Sequence, residues 1–365
     1  VSSVLFLSAL PNTDGWTEAV NPPHQFSQIM FKTMSALWPS DAQFTHQTVL
    51  VTGASGFIGS HLCQRLCQAG ATVHALSRRY SASREREPLS SDLYWHLADV
   101  TDIATVRSIL QDIQPAVIFH LAGQVTAARS LNYVLPTFHS NLTATINLLT
   151  AATELGCGRI ILAGSLEEPA ADESIPTPSS PYAAAKFASS AYARMFHELY
   201  QTSVVLTRIF MVYGPGQRDL QKLIPYVTLS LLSGRVPQLS SGQRLIDWIY
   251  IDDVVQGLMA IAHTPHLDGQ TVDLGSGRMT SIYALVQQLV ALTGSEVEPV
   301  FGRLTDRPLE QVRQANIAAT LSQLGWQPTT SLSDGLLQTV DWYRQWLAME
   351  QSSTSNLQDS LELTR

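Results

Sequence analysis

Tyr182 and Lys186 stand four residues apart in the run Ser180-Pro181-Tyr182-Ala183-Ala184-Ala185-Lys186. On a helix that spacing puts both side chains on one face, ammonium beside phenol. A phenol near its ordinary pKa of about 10 is a poor proton acceptor at neutral pH, and an adjacent cation lowers that value. Upstream, Ala163-Gly164-Ser165 closes an apolar run of strand type. The end of a parallel strand is where open α/β sheets hold their ligands. There the Ser165 hydroxyl can hydrogen-bond an oxygen that becomes a carbonyl. Ser165, Tyr182 and Lys186 are thus a set able to move a proton at an alcohol or ketone oxygen.

A second constellation lies near the start of the regular part of the chain. Val49-Leu50-Val51-Thr52 runs into Gly53-Ala54-Ser55-Gly56-Phe57-Ile58-Gly59. Gly53 suits a tight turn, Gly56 a close approach of backbone to a pyrophosphate, and Gly59 close packing of a helix on the strand. The N-terminus of that helix offers free N–H groups and a positive dipole end to phosphates. Ser55, Phe57 and Ile58 fill the same cradle. The second strand would end in Asp or Glu at a site for NAD; it ends instead in Ser77-Arg78-Arg79. Two guanidiniums suit a ribose 2′-phosphate. The expected cofactor is therefore NADP, with NAD possible. Asp99-Val100 follows the third strand, where a carboxylate either accepts from an adenine amino group or caps the next helix.

These residues need a scaffold that brings strand ends together. Apolar runs at Thr48–Thr52, Thr72–Leu76, Tyr94–Ala98, Ala116–Leu121, Arg159–Ala163 and Val204–Phe210 alternate with helical patterns at about 58–69, 102–112, 137–155 and 182–200. Such alternation predicts a doubly wound parallel sheet of Rossmann type over 47–212. After residue 213 the rhythm becomes mixed, with helical patterns near 219–233, 254–263, 281–293 and 334–348. A smaller mixed α/β substrate lobe is expected over 213–349. Residues 1–46, rich in Pro and without a sustained period, are expected to be a poorly ordered extension, and residues 350–365 a frayed tail.

Composition narrows the partners. The 365 residues are 45% hydrophobic and only 14% charged, with 22 basic against 30 acidic side chains and a net charge of −8. No basic block is present, which argues against nucleic acid or an anionic membrane as a partner. Three cysteines, Cys63, Cys67 and Cys157, form neither a disulfide framework nor a metal motif. No metal is expected. No apolar run approaches the roughly 20 residues of a spanning helix. The first basic residue is Lys32, so Val4–Leu10 is a poor secretory signal. Cytoplasmic residence is the expectation.

Taken in this order, the motifs resemble the extended short-chain dehydrogenase/reductase family, in particular its nucleotide-sugar epimerases, dehydratases and reductases. The resemblance covers about 47–346. It takes in Gly53–Gly59, His120-Leu121-Ala122-Gly123, Asn141, Ser165, Tyr182/Lys186, Tyr213-Gly214-Pro215-Gly216, Asp247–Asp253 and Leu324-Gly325-Trp326. It implies that Leu121, Ala122 and Gly123 line the cofactor and that Tyr182 gives and takes the proton of a sugar hydroxyl while hydride moves at C4. Lys186 would lower the Tyr182 pKa and hold the cofactor ribose, and Ser165 would orient the sugar oxygen. Two positions depart from the family: Met211 where Asn is common, and Ile246 where an Arg near the diphosphate is common. Arg244, two residues earlier, is a substitute. Arg307 matches a phosphate-contacting Arg, and Lys222 precedes the entrance of the substrate lobe. The resemblance also implies a homodimer, paired through the helices at 137–155 and 182–200.

The residues after Ser165 bear on the reaction. A 4,6-dehydratase carries a polar acid and then a Glu there; this chain has Ser165-Leu166-Glu167-Glu168. Glu167 fills the base position, but Leu166 has no proton to give, and lacking a positioned acid forfeits about 10²–10⁴ in rate. The pattern is more similar to 4-keto-sugar reductases, which is the expected activity. A 4-epimerase needs the same Ser/Tyr/Lys set and stays open, as do a dehydratase, a decarboxylase and a non-catalytic NADP sensor. Asp252 and Asp253 are expected to cap the helix at 254–263, and His120 to be a core residue.

Overall fold

The computed structural model describes residues 41–79, 92–126, 128–169 and 175–362, with side chains to residue 350. The expected extension at 1–46 therefore falls mostly outside the described residues, as do 363–365 of the tail. Asp41–Phe44 is already packed: it forms a 3-10 turn in which Phe44 is buried and Asp41 pairs with the buried Arg65. Packed structure is thus already present ahead of the expected boundary at 47.

Seven strands form one sheet in the order β3-β2-β1-β4-β5-β6-β9. They are β1 (Thr48–Thr52), β2 (Thr72–Ser77), β3 (Leu93–Leu97), β4 (Val117–His120), β5 (Arg159–Ser165), β6 (Val204–Ile209) and β9 (Thr271–Leu274). Every neighbouring pair is parallel. The strands are continuous apolar runs because both faces are covered. Val49, Val51, Val117 and Phe119 face the core under α1 (Phe57–Gln68). Leu50, Ile118, Ile160 and Leu162 face the opposite core, under α2 (Ile103–Ile113), α4 (Ala144–Leu155) and α5 (Pro181–Tyr200). The strand order turns back between β1 and β4, opening a crevice at their C-terminal ends, where such folds bind ligands.

Ahead of α4 come α3 (Val134–Thr137) and a wide π turn at Phe138–Thr143. Asn141, buried in that turn, accepts from the Gln124 amide at 2.6 Å and donates to the Gln124 carbonyl at 3.1 Å, fixing the loop after β4. Ser180 caps α5, accepting from the Ala183 amide, and Pro181 occupies the first turn, where its missing N–H costs nothing. The start of α5, and with it Tyr182, is well defined.

The second lobe is built on β7 (Met211–Tyr213), β8 (Leu245–Tyr250) and β10 (Met279–Ser281), in the order β10-β8-β7. Its helices are α6 (Leu223–Leu232), α8 (Ile282–Thr293) and α10 (Leu332–Glu362). Two segments of 213–349 return to the large sheet instead. These are α7 (Ile251–His263), which packs beside α1, and β9, continued by α9 (Ile317–Leu324). The run Thr-Val-Asp-Leu of β9 is too short and too polar to stand out in sequence. The expected capping by Asp252 and Asp253 is not what forms. Tyr250 is the N-cap of α7. Asp253 is buried and accepts from the Thr329 amide and hydroxyl and the Thr330 amide, tying down the loop before α10. The backbone of α10 runs past residue 350, since nothing from there to Glu362 is Gly or Pro.

Candidate active site

The glycine-rich turn joins β1 to α1 at the crevice. Gly53 has φ +70°, and a Cβ there would lie 2.7 Å from the Ala122 nitrogen and 2.8 Å from the Leu121 carbonyl carbon. A Cβ on Gly59 would lie 2.3 Å from the Gly53 carbonyl oxygen. Both positions therefore require glycine. Gly56 is the N-cap of α1 and supplies no side chain, so the first N–H groups of that helix face the turn unspent. Ser55 lies at hydrogen-bond distance from Ser77, Oγ to Oγ 2.7 Å, linking the turn to the end of β2. Phe57 and Ile58 start α1 half-buried. Backbone donors, a helix N-terminus and a cradle with no room for a Cβ fit a dinucleotide pyrophosphate.

The rest of the cofactor side is mixed. Leu121, Ala122 and Gly123 form the loop after β4, against Gly53. Beneath them the Ala122 amide donates to Thr52 Oγ1 (3.2 Å), and Thr52 lies 2.8 Å from His120 Nδ1. His120 Nε2 lies 3.1 Å from Thr145 Oγ1, which itself donates to the Asn141 carbonyl. Because the Thr145 proton is used, Nε2–H is the donor and Nδ1 the acceptor. His120 is a neutral core residue, its pKa pushed down to about 3 by burial and by Lys186. Arg78 and Arg79 are exposed at the end of β2. Asp99 is exposed too, and its carboxylate is taken by the Thr101 amide and hydroxyl. Asp102, not Asp99, caps α2. Val100 is buried in the core.

Ser165 ends β5, buried, and its hydroxyl hydrogen-bonds the Tyr182 phenol. The expected depression of Tyr182 is absent. Burial pushes its pKa up to about 12; the Ser165 bond opposes this, and Glu168 and Glu167 add to it. The Lys186 ammonium donates to the Ala163 carbonyl at 2.6 Å, and burial pushes its pKa down to about 8, with Glu168 pulling it back up. Without a ligand, Tyr182 is thus held as the phenol.

Glu167 is not a free base either. Arg244 Nη2 reaches it at 3.0 Å, while Nη1 reaches Glu310 at 2.9 Å. The other Glu310 oxygen lies 3.7 Å from Arg307. Arg244 and Arg307 are thus gathered on one carboxylate, with Arg129 also near it. The Nε atoms of Arg129 and Arg244 are buried without a partner, so the cluster holds donor capacity for an anion. Lys222 stands half-buried at the N-cap of α6 without capping it. Leu166 is buried in the core, and Met211 and Ile246 fill their positions as apolar residues. Glu310 and Arg129 carry no local signal and were found only through packing. Glu168 is equally unassigned by its motif, yet it accepts from the Ser165 amide.

Comparison with known proteins agrees with this arrangement. The profile of the NAD dependent epimerase/dehydratase family matches residues 49–275. The chain is 33% identical over 313 residues to a UDP-glucose 4-epimerase of Mycolicibacterium smegmatis, covering 81% of this chain and 98% of that protein. It is 28% identical to a dTDP-glucose 4,6-dehydratase of Haemophilus influenzae, covering 81% and 97%. Among solved structures it is similar to the UDP-glucose 4-epimerase of Thermotoga maritima with UDP-glucose (TM-score 0.75, 26% identity, covering 82% and 99%). It is also similar to the UDP-glucuronic acid 4-epimerase of Bacillus cereus in complex with UDP-glucuronic acid and NAD (TM-score 0.73, 27% identity, 81% and 99%). These relatives are epimerases and a dehydratase, so the comparisons carry the reductase reaction expected from sequence only to the family level. Among the described residues no helix is long and apolar enough to cross a membrane. With the glycine turn at the switch point, the Ser165–Tyr182 pair beside it and this breadth of similarity, the chain belongs to the NAD-dependent epimerase/dehydratase family of extended short-chain dehydrogenases/reductases.

Proposed function

We propose that the protein is a nucleotide-sugar 4-epimerase. The observation that carries this reading is the buried Leu166 following a Ser165 hydroxyl that is bonded to the Tyr182 phenol. The pair can hold and move a proton at a sugar oxygen, while the position of an elimination acid is spent on the core. The epimerases among the relatives support it further. A bound nicotinamide cofactor, held by the Gly53–Gly59 turn and the loop at Leu121–Gly123, supplies hydride acceptance and return at C4. Ser165 orients the C4 oxygen, Tyr182 takes its proton and returns it to that same oxygen after the keto sugar has turned its other face for hydride return, and Lys186 contributes charge and a hold on the ribose. Arg244 and Arg307 would exchange Glu310 for the substrate diphosphate, with Lys222 at the entrance.

A 4-keto-sugar reductase is the second reading, favoured by Arg78 and Arg79 at the end of β2. Incubation with NAD⁺, NADP⁺ or NADPH and a panel of nucleotide sugars and their 4-keto derivatives decides between them by product mass. Unchanged mass with a new isomer is the expected result; two added hydrogens with NADPH consumed would replace it by the reductase. Loss of water would overturn the argument from Leu166. Replacing Arg78 and Arg79 together by Ala is expected to weaken NADP⁺ binding by roughly tenfold or more, about the effect of losing a charge-assisted pair of bonds, and to leave NAD⁺ nearly untouched. Titration calorimetry with both cofactors reads this directly.

The protein is further proposed to be a homodimer. Leu131, Leu135, Phe138 and Tyr192 are exposed around α3, the π turn and α5, apolar area that a second copy would cover. Sedimentation at micromolar concentration is expected to give twice the mass of 40.0 kDa. A monomer there would remove the proposal.

A further inference from the structure

Glu168 is 7% exposed, yet no role in the reaction just described falls to it. One carboxylate oxygen accepts from the Ser165 amide at 2.7 Å, and the other from the Ser190 hydroxyl at 2.7 Å. Ser190 is one helical turn beyond Lys186 and two beyond Tyr182, so the three share a stripe of α5. The carboxylate lies so close to Gly164 that a Cβ there would be 2.6 Å from Oε1. Both oxygens are spent on neutral donors, and a buried anion is costly unless a cation compensates it.

Lys186 is that cation. The groups near it are Glu168 from the loop after β5, His120 at the end of β4 and the Ala163 carbonyl of β5, with Tyr182 one turn back on the same helix. His120 is neutral, Tyr182 is a phenol, and the carbonyl is only a dipole. We propose that Glu168 is a positioning residue of this site: clamped between the Ser165 amide and the Ser190 hydroxyl, it fixes the end of β5 on α5 and is the anion that keeps Lys186 an ammonium ion. The inference rests on Ser165, Tyr182 and Lys186 being the proton-transfer set. It assigns Glu168 a charge, not a contact with substrate.

The test reads Lys186 in the full chain without cofactor or substrate. Folding holds its pKa down at about 8, whereas the unfolded chain keeps the proton to about 10.5. Between those values the unfolded state binds more protons, so stability rises with pH from about 8 upward. The difference in thermal midpoint between wild type and Lys186→Met, followed from pH 6 to 10, isolates that rise.

In Glu168→Gln the amide keeps an acceptor for Ser165 and a group for Ser190 but loses the charge. The onset is expected to move down by about one pH unit, a tenfold loss of proton affinity. Glu168→Asp should move it back toward wild type, and Ser190→Ala, which spares the charge, should leave it in place. A folded Glu168→Gln protein with the wild-type onset would overturn the proposal. Should that variant fail to fold, Glu168→Gln/Lys186→Met leaves neither charge alone and must be more stable than the two single losses predict; simple additivity would equally overturn it. The proton-transfer reading fails separately, if Tyr182→Phe retains turnover, and that outcome leaves this titration untouched.

Discussion

Tyr182→Phe is expected to lower turnover of the nucleotide-sugar substrate by about 10²–10⁴, the range for removing a positioned acid/base, while cofactor affinity changes less than about threefold. The phenol oxygen is the only atom removed. Its partner Ser165 is held from both sides, the amide by Glu168 and the strand by pairing of Ser165 with Ile209. The ring fits beneath the crevice with or without the hydroxyl, so the fold and the dinucleotide turn survive. The pH dependence follows from the same environment. With Tyr182 pushed up to about 12 by burial, the free protein carries it protonated across the accessible range. Taking a proton from a sugar hydroxyl therefore needs this pKa brought down, which positive charge bound beside the phenol would do. Difference absorbance of tyrosinate is expected to show no contribution from Tyr182 below about pH 10, as Tyr182→Phe subtraction would show. Full turnover in the variant would remove Tyr182 from the chemistry.

Much of this site is legible in the sequence because its parts are local. Gly53–Gly59 is one turn, Tyr182 and Lys186 are one helix face, and Ser165 ends one apolar run. The strands are legible for a related reason: a strand buried on both faces is apolar at every position, as Val49, Leu50 and Val51 are. What the sequence does not disclose is how charges pair across the fold. Glu167 has the spacing of a free base, and only assembly brings Arg244 to it from the start of β8. Lys186 has the spacing to lower a phenol pKa, but its ammonium turns to the Ala163 carbonyl and the effect of burial prevails. Asp253 stands where a cap would, yet it binds Thr329 and Thr330 from a loop distant in sequence. Spacing settles which residues share an element; desolvation and long-range partners settle what they do there.

Asp247 shows the same separation between motif and role, and its loss should have the largest effect on stability of any single polar change in the lobe. It is 1% exposed on β8. One oxygen accepts from the Ser276 amide and hydroxyl, both at 2.7 Å, and the other from the amides of Gly277 (2.9 Å) and Ala315 (3.0 Å). These bonds draw the β9–β10 turn and the segment before α9 onto β8, three residues from Arg244. Asp247→Ala would leave three backbone donors without their carboxylate, that of Ala315 buried and those of Ser276 and Gly277 half-buried, at up to about 1–3 kcal/mol each. Set against a total stability of about 5–15 kcal/mol, that is a large share of the whole. The expected result is a thermal midpoint lower by about 10 °C or more, or a chain that does not stay folded. Asp247→Asn, which keeps one good acceptor oxygen, should fall between. The coupling to function follows from the geometry. Arg244 and Arg307 meet on Glu310, which lies in the same irregular stretch that Asp247 anchors at Ala315. A loosened anchor should therefore raise the KM for the nucleotide sugar before it changes kcat, because the residues proposed to hold the diphosphate lose their alignment while Ser165 and Tyr182, on the large sheet, keep theirs. A drop in kcat at unchanged KM would place Asp247 with the chemistry instead.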